Sequence, residues 1–256
     1  MRDDHEPTPD VVWCAIPVFN HGATVRAVAL ACRAELPRVV VVDDGSTDLD
    51  VCALFRHTDL DVLRHPWNQG KGRALLTALR HVHAHGGRTL ITLDADGQHQ
   101  PADIRSLLPE IAADPDALVI GVRRMDGPDV PAASRLGMRL SDFWVGMETG
   151  VSVRDSQSGF RAYPVEAILR LPLHGRRYEF ETEILVRALW AGVRVRHVDV
   201  NVTYAARGAR NSHFRMCADN LRIIGCHVPM IWRSLWARKR RALHPEKVSR
   251  LKAEDC

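Results

Sequence analysis

The chain has 256 residues, 46% of them hydrophobic, and a formal net charge of +4, room for one large α/β domain or two small ones. Its six cysteines are scattered with no C-x-x-C pair, which argues against a disulfide framework or a zinc knuckle and for free thiols in a reducing compartment. Residues 1–10 are acidic and lack the apolar core of a signal peptide, and no stretch reaches eighteen apolar residues, so no membrane-crossing helix is expected.

In chain order, residues 11–18 form a short apolar run that reads as a strand, and 23–34 have helical spacing. Residues 39–42 are four valines, β-branched and strand-prone, ending abruptly in Asp43-Asp44-Gly45-Ser46. The pattern then predicts a short helix over 50–57, a strand over 61–64, and a helix over 71–85 with Leu75, Leu76, Leu79 and Val82 on its apolar face. A strand over 89–93 runs into Asp94, Pro101 opens a helix over 101–113, and 117–121 is a fifth strand. In the second half, 132–145 and 181–191 read as helices, 155–159 as a polar loop and 193–202 as a strand. Residues 214–236 interleave apolar side chains with arginines, and Pro229 divides them into two short helices. The expected organisation is a flexible 1–10, an α/β domain over 11–205, and a basic, amphipathic extension over 206–256.

Buried strands alternating with amphipathic helices predict a mainly parallel sheet covered on both faces. Ligands of such sheets sit beyond the carboxyl ends of the strands. Here those ends carry Asn20, Asp43-Asp44, Asn68 and Asp94-Ala95-Asp96, all converging on one edge.

Asp94-Ala95-Asp96-Gly97-Gln98 is the sharpest feature. Two carboxylates and an amide at alternating positions past a buried strand can aim oxygens at one point. Mg²⁺ and Mn²⁺ favour oxygen ligands and complete their shells with water and substrate phosphate. A metal at a departing diphosphate stabilises the charge that develops there. A lone D-x-D, however, is equally a solvated turn at a strand end.

Four motifs follow one another in order: Ile16-Pro17-Val18-Phe19-Asn20, Val42-Asp43-Asp44-Gly45-Ser46-Thr47-Asp48, Asn68-Gln69-Gly70-Lys71-Gly72 and Leu93-Asp94-Ala95-Asp96-Gly97-Gln98. This succession resembles the family 2 glycosyltransferases of GT-A fold, and within them the polyprenyl-phosphate sugar transferases such as dolichol-phosphate mannosyltransferase. The likeness spans about residues 11–204. It implies a metal-dependent, inverting transfer of sugar from a UDP- or GDP-sugar to a lipid-phosphate or lipid-like acceptor.

By that resemblance Pro17, Phe19 and Asn20 line the nucleotide pocket, Asp43 or Asp44 bonds the base or ribose, and Lys71 lies under the nucleotide. Asp94, Ala95 and Asp96 meet the donor, and Asp94, Asp96 and Gln98 hold Mg²⁺ or Mn²⁺. Arg123 and Arg135 stand where the subgroup grips phosphate, and Tyr204, Arg207, Ser212 and His213 resemble its loop over the donor diphosphate. The chain departs from the pattern at His21, where the subgroup commonly has Glu. A phosphate acceptor needs no strong base, whereas a hydroxyl does. For that case Asp155 is the first candidate, in a loop resembling the family's acceptor side, followed by Glu181 and Glu183, which equally suit a helix start where acids favour the dipole.

Other readings are weaker. Lys71 lacks the spacing of a phosphate-binding loop, and His21-Gly22-Ala23 is too poor in glycine for a nucleotidyltransferase. A scaffold that kept the fold and lost activity would not need the metal ligands. His81 and His85 have zinc spacing, but a third ligand is not evident. The basic segment has no aromatic platform or recognised nucleic-acid module. Its arginines with Trp232 and Trp236 fit an anionic membrane surface, predicting a cytoplasmic protein held peripherally on the inner face of the membrane.

Overall fold

The computed structural model describes residues 11–124, 130, 132–175 and 179–203. Seven strands form one sheet: β1 Val12–Val18, β2 Val39–Asp43, β3 Asp61–Arg64, β4 Thr89–Thr92, β5 Leu118–Arg123, β6 Arg161–Pro164 and β7 Val195–Val200. Their spatial order is β3-β2-β1-β4-β6-β5-β7. All pairings are parallel except those of β6, which runs antiparallel to β4 on one side and β5 on the other.

Alternation along the strands builds two cores. Val12, Cys14, Ile16 and Val18 of β1, with Val39 and Val41 of β2, face helices α1 (Gly22–Glu35) and α4 (Ile104–Ala113). Trp13, Ala15, Val40 and Val42 face the opposite side, against α3 (Lys71–Ala84), α6 (Val165–Leu169) and α7 (Glu179–Trp190). A strand buried on both faces reads as a continuous apolar run, which is why the valines of β2 were legible. The short α2 (Val51–Leu54) and the longer α5 (Ala132–Thr149) complete the helices.

Three differences from the sequence pattern have physical causes. Residues 101–113 open as a 3₁₀ turn at Pro101–Asp103 and become α-helix only from Ile104. The fifth strand runs on to Arg123 because β7 pairs with it through that residue. Strand β6 and the α6 turn after it were not expected, since Arg-Ala-Tyr-Pro has an arginine and a proline in four residues. Arg161 is nevertheless fully buried, and its guanidinium donates to the carbonyls of Ser156 (2.6 Å) and Glu181 (2.7 Å). The proposed 206–256 extension, with 214–236 inside it, and the flexible 1–10 lie outside the described residues.

Candidate active site

The ends of β1, β2 and β4 meet at one edge, and short polar bonds lock them together. Asn20, just past β1, adopts φ 55°, a left-handed conformation that asparagine tolerates better than most residues. Its backbone N–H donates to Ser46 Oγ (3.1 Å) and its side-chain oxygen accepts the Thr47 N–H (2.8 Å). Asp43 is buried, accepts the Ser46 N–H at 2.8 Å and faces Arg64 at 3.4 Å. Asp44 accepts the N–H groups of Gln69 (2.9 Å) and Gly70 (2.7 Å) and pairs with His65 Nδ1 at 2.7 Å. Its carboxylate thus fastens the end of β2 to the loop that starts α3, a structural use distinct from the base or ribose contact expected of it. Pro17, Phe19 and Asn20 remain partly exposed along this edge.

The acidic motif follows β4 directly. Ala95 is buried, and its carbonyl accepts the Thr24 hydroxyl of α1 at 2.6 Å, which pins the loop between the two aspartates. Asp96 accepts the Gln98 N–H at 3.0 Å, while the Gln98 carbonyl accepts from Thr203 (2.8 Å), so the chain after β7 returns across the motif. Asp94 Oδ1 lies 2.6 Å from Lys71 Nζ, and the same ammonium lies 2.9 Å from Glu181 Oε1. Burial alone would raise the Asp94 carboxyl, but Lys71, with His99 and Arg123 behind it, outweighs burial and holds it below the usual range. Asp96 moves the other way, pushed up by burial and by the charge on Asp94.

Two partly exposed carboxylates that repel one another suit a divalent cation. Among the described residues no group of three His, Cys, Asp or Glu could hold a metal by itself. Asp94, Asp96 and the Gln98 amide are the oxygen donors of this motif that could hold Mg²⁺ or Mn²⁺, ions that complete their shells with water and phosphate oxygens.

The three nominated proton acceptors go to three different places. Asp155, at φ 54°, accepts Arg123 Nε (2.9 Å), Arg123 Nη2 (2.7 Å) and the Arg123 backbone N–H (2.9 Å). Asp142 of α5 fixes that loop by accepting the N–H groups of Asp155 (3.0 Å) and Ser156 (2.7 Å). Glu181 belongs to the Lys71 cluster. Glu183, two residues along α7 and so on nearly the opposite face, accepts the N–H groups of His174 (3.0 Å) and Gly175 (2.6 Å) and pairs with Arg187 at 2.8 Å. It anchors a loop away from the acidic motif.

Arg123 and Arg135 do come together. They line a cleft of about 650 Å³ with Arg124, Arg139, Arg154, Met138 and Asp199. Arg135 is oriented by the Val130 carbonyl (3.0 Å), and Arg154 is held by Asp199 (2.7 Å). Tyr204, Arg207, Ser212 and His213 lie outside the described residues.

Sequence reasoning missed Thr24, Asp142, Arg139, Arg154 and His99. None belongs to a motif, and only proximity in the fold recruits them; the adjacency of His99 to Gln98 was the one available signal. His99 is 6% exposed, packs its ring at a tilt against Phe160 at 5.4 Å, and its Nδ1 has no hydrogen-bond partner among the described residues. Burial first, then Arg123 and Lys71, push its pKa down to about 4 against the pull of Asp94 and Asp155. An unfolded histidine titrates near 6.5, so between about pH 6.5 and 4 the unfolded chain takes up a proton that the folded chain refuses. Stability is full above pH 6.5 and declines as pH falls through that window, by up to about 3 kcal/mol. Melting in EDTA should therefore drop from pH 7 to 4.5, and His99→Gln should flatten part of the drop; an unchanged slope would reject this role.

The model of "Glycosyl transferase family 2" matches residues 13–170. The chain is 26% identical over 217 residues to the UDP-N-acetylglucosamine–dolichyl-phosphate N-acetylglucosaminyltransferase of Methanococcus voltae, covering 76% of this chain and 86% of that one. It is 28% identical over 220 residues to the polyprenol monophosphomannose synthase of Mycolicibacterium smegmatis, covering 81% of each. Its fold is similar to that of glucosyl-3-phosphoglycerate synthase from Mycobacterium tuberculosis, crystallised with Mn²⁺, UDP-glucose and phosphoglyceric acid. That similarity has a TM-score of 0.58 at 20% identity, over 86% of this chain and 79% of that one. A GT-A sheet with the acidic motif after its fourth strand, matched by the family model over more than half its length, belongs to glycosyl transferase family 2.

Proposed function

We propose that the chain moves a sugar from a nucleoside diphosphate to the phosphate of a lipid-linked acceptor, with inversion at the anomeric carbon. The observation that carries this reading is a five-arginine cleft in a chain whose β4 runs directly into an acidic motif. Arg123 lines the cleft and is held there by Asp155. Guanidinium groups match phosphate bidentately, so the cleft suits an anionic acceptor. The carboxylates that could deprotonate a hydroxyl are engaged: Asp155 by Arg123, Glu181 by Lys71 and Glu183 by its loop. A phosphate oxygen attacks without such a base. The named relatives that act on dolichyl or polyprenyl phosphates support the same acceptor class.

The donor nucleotide would lie along Pro17, Phe19, Asn20 and Asp43, with its diphosphate toward Asp94, Asp96 and Gln98. Mg²⁺ or Mn²⁺ bound there would neutralise the charge that builds on the leaving diphosphate. Thr24 and the Gln98 N–H hold the motif still, and Asp155 and Asp142 hold Arg123 in register at the cleft.

A lipid acceptor also suits the outside of α5. Leu136, Leu140, Phe143, Trp144 and Met147 recur at helical spacing and are exposed, while the acids of that helix turn inward, Asp142 to the 155–156 backbone and Glu148 into the core. With the arginines of the cleft beside it, this stripe fits an anionic membrane surface. No helix among the described residues is long and apolar enough to cross a membrane.

The test offers labelled UDP-, GDP- and dTDP-sugars, with Mn²⁺, to anionic vesicles containing a polyprenyl phosphate. The expected result is a sugar-phosphate lipid made from one donor, abolished by EDTA, with the protein floating with the vesicles. Transfer only to hydroxyl acceptors, or transfer indifferent to EDTA, would reject the reading.

A further inference from the structure

Lys71 occupies an unfavourable place. It is the first residue of α3, where the helix dipole is positive, and no side chain caps that end. Its side chain is only 16% exposed, so the ammonium has little water. Asp94 at 2.6 Å and Glu181 at 2.9 Å compensate, delivered by the end of β4 and the first turn of α7. Gly159 lets the three meet: a Cβ there would stand 2.9 Å from Asp94 Oδ2, 2.9 Å from Lys71 Nζ and 3.1 Å from Glu181 Oε1. The anchors are rigid, since the Gly159 carbonyl accepts the Thr92 hydroxyl (2.7 Å) and the Glu181 carbonyl accepts from Arg161 (2.7 Å).

One ammonium thus bridges two carboxylates, and only Asp94 also belongs to the acidic motif. A dication arriving at Asp94 and Asp96 repels the ammonium already on Asp94, and Glu181 offers the displaced charge a partner within the same cluster. We propose that Lys71 and Glu181 are positioning residues that form a switchable counter-ion pair behind Asp94: Lys71 neutralises Asp94 while no metal is bound, and Glu181 receives Lys71 when the cation takes Asp94. Lys71 is the internal competitor for the metal, and Glu181 relieves the competition. The proposal rests on the reading of Asp94 and Asp96 as cation ligands, and it gives Glu181 a role other than proton acceptor.

The experiment is a Mn²⁺ titration followed by electron paramagnetic resonance, on the full chain, alone and with UDP or GDP. Wild type should bind Mn²⁺, and Asp96→Asn should lose that binding. Lys71→Met should tighten Mn²⁺ by about tenfold or more, and Glu181→Gln should weaken it about tenfold, as expected for unit charges a few ångströms apart in a partly buried site. The cycle is decisive: in the Lys71→Met background Glu181→Gln should change Mn²⁺ affinity less than about twofold, because there is no ammonium left to receive. An equal cost of Glu181→Gln in both backgrounds would mean plain charge addition and overturn the switch, as would a Lys71→Met protein that binds no tighter. Wild type that fails to bind Mn²⁺ under all three conditions, or an Asp96→Asn protein that binds like wild type, would sink the metal-site reading and the switch together. Thermal melts accompany each variant, and Lys71→Gln replaces Lys71→Met in the cycle if the latter does not fold.

Discussion

If Asp96 holds a metal as proposed, Asp96→Ala should lower sugar transfer by about 10²–10³-fold, the scale of losing one element that stabilises a developing anion, and should leave the fold intact. Asp96 is the cleaner of the two aspartates to remove. Its carboxylate is partly exposed and accepts the Gln98 N–H, whereas Asp94 is paired with the largely buried Lys71. Removing Asp94 would leave Lys71 with Glu181 alone and mix structural loss with chemical loss. The melting temperature of the Asp96 variant should stay within a few degrees of wild type, as for substitutions outside the core. The check is turnover at saturating Mn²⁺ together with a thermal melt. A folded variant with full turnover rejects the acidic motif as the catalytic centre.

Asp155→Ala should be the most destabilising change at the site. It removes the bidentate partner of Arg123 and the acceptor of the Arg123 backbone N–H at once, and Asp155 is 1% exposed. Breaking such a pair from one side costs about 3–5 kcal/mol because the other charge is left behind. For a protein of this size that corresponds to a fall of about 6–20 °C in Tm. Asp155→Asn should fall between, since asparagine keeps the left-handed backbone and part of the hydrogen bonding. Activity should follow stability through the series, and a weakened acceptor KM should report the loosened Arg123. Were Asp155 a proton acceptor instead, the asparagine variant would lose kcat while melting close to wild type.

The two cases show why parts of the site could be read in advance and others not. Asp94 and Asp96 are two positions apart in sequence, so a strand end followed by D-x-D brings both carboxylates to one sheet edge. Asp155 was visible as a polar loop residue, but its partner is Arg123, 32 positions away, and nothing local says that the two will meet. The same holds for Glu181 and Glu183. Both read as helix-start acids, and only the placement of α7 against α3 sends the first to Lys71 and the second to the 174–175 backbone. The family resemblance offered Asp43 or Asp44 for the base or ribose without separating them, and only the fold gives Asp44 three partners within the chain.

Strand β6 carries the same lesson for the fold. A parallel strand buried on both sides must be apolar, so β1, β2 and β4 announce themselves. The antiparallel β6 is a four-residue piece whose buried arginine donates from its two terminal nitrogens to the carbonyls of Glu181 and Ser156, and no periodicity reveals that arrangement.

What the amino-acid sequence determined by itself was everything governed by neighbours along the chain: the alternating strands and helices, the polar strand ends, the acidic motif and the ordered set of motifs that mark the family. What only the tertiary structure decided was which charges face one another. Lys71 with Asp94 and Glu181, Arg123 with Asp155, and the arginines around one cleft are contacts between segments far apart in sequence. Such contacts depend on how helices and loops pack across the sheet, and Coulomb energy between two side chains depends on a distance that only the folded chain defines.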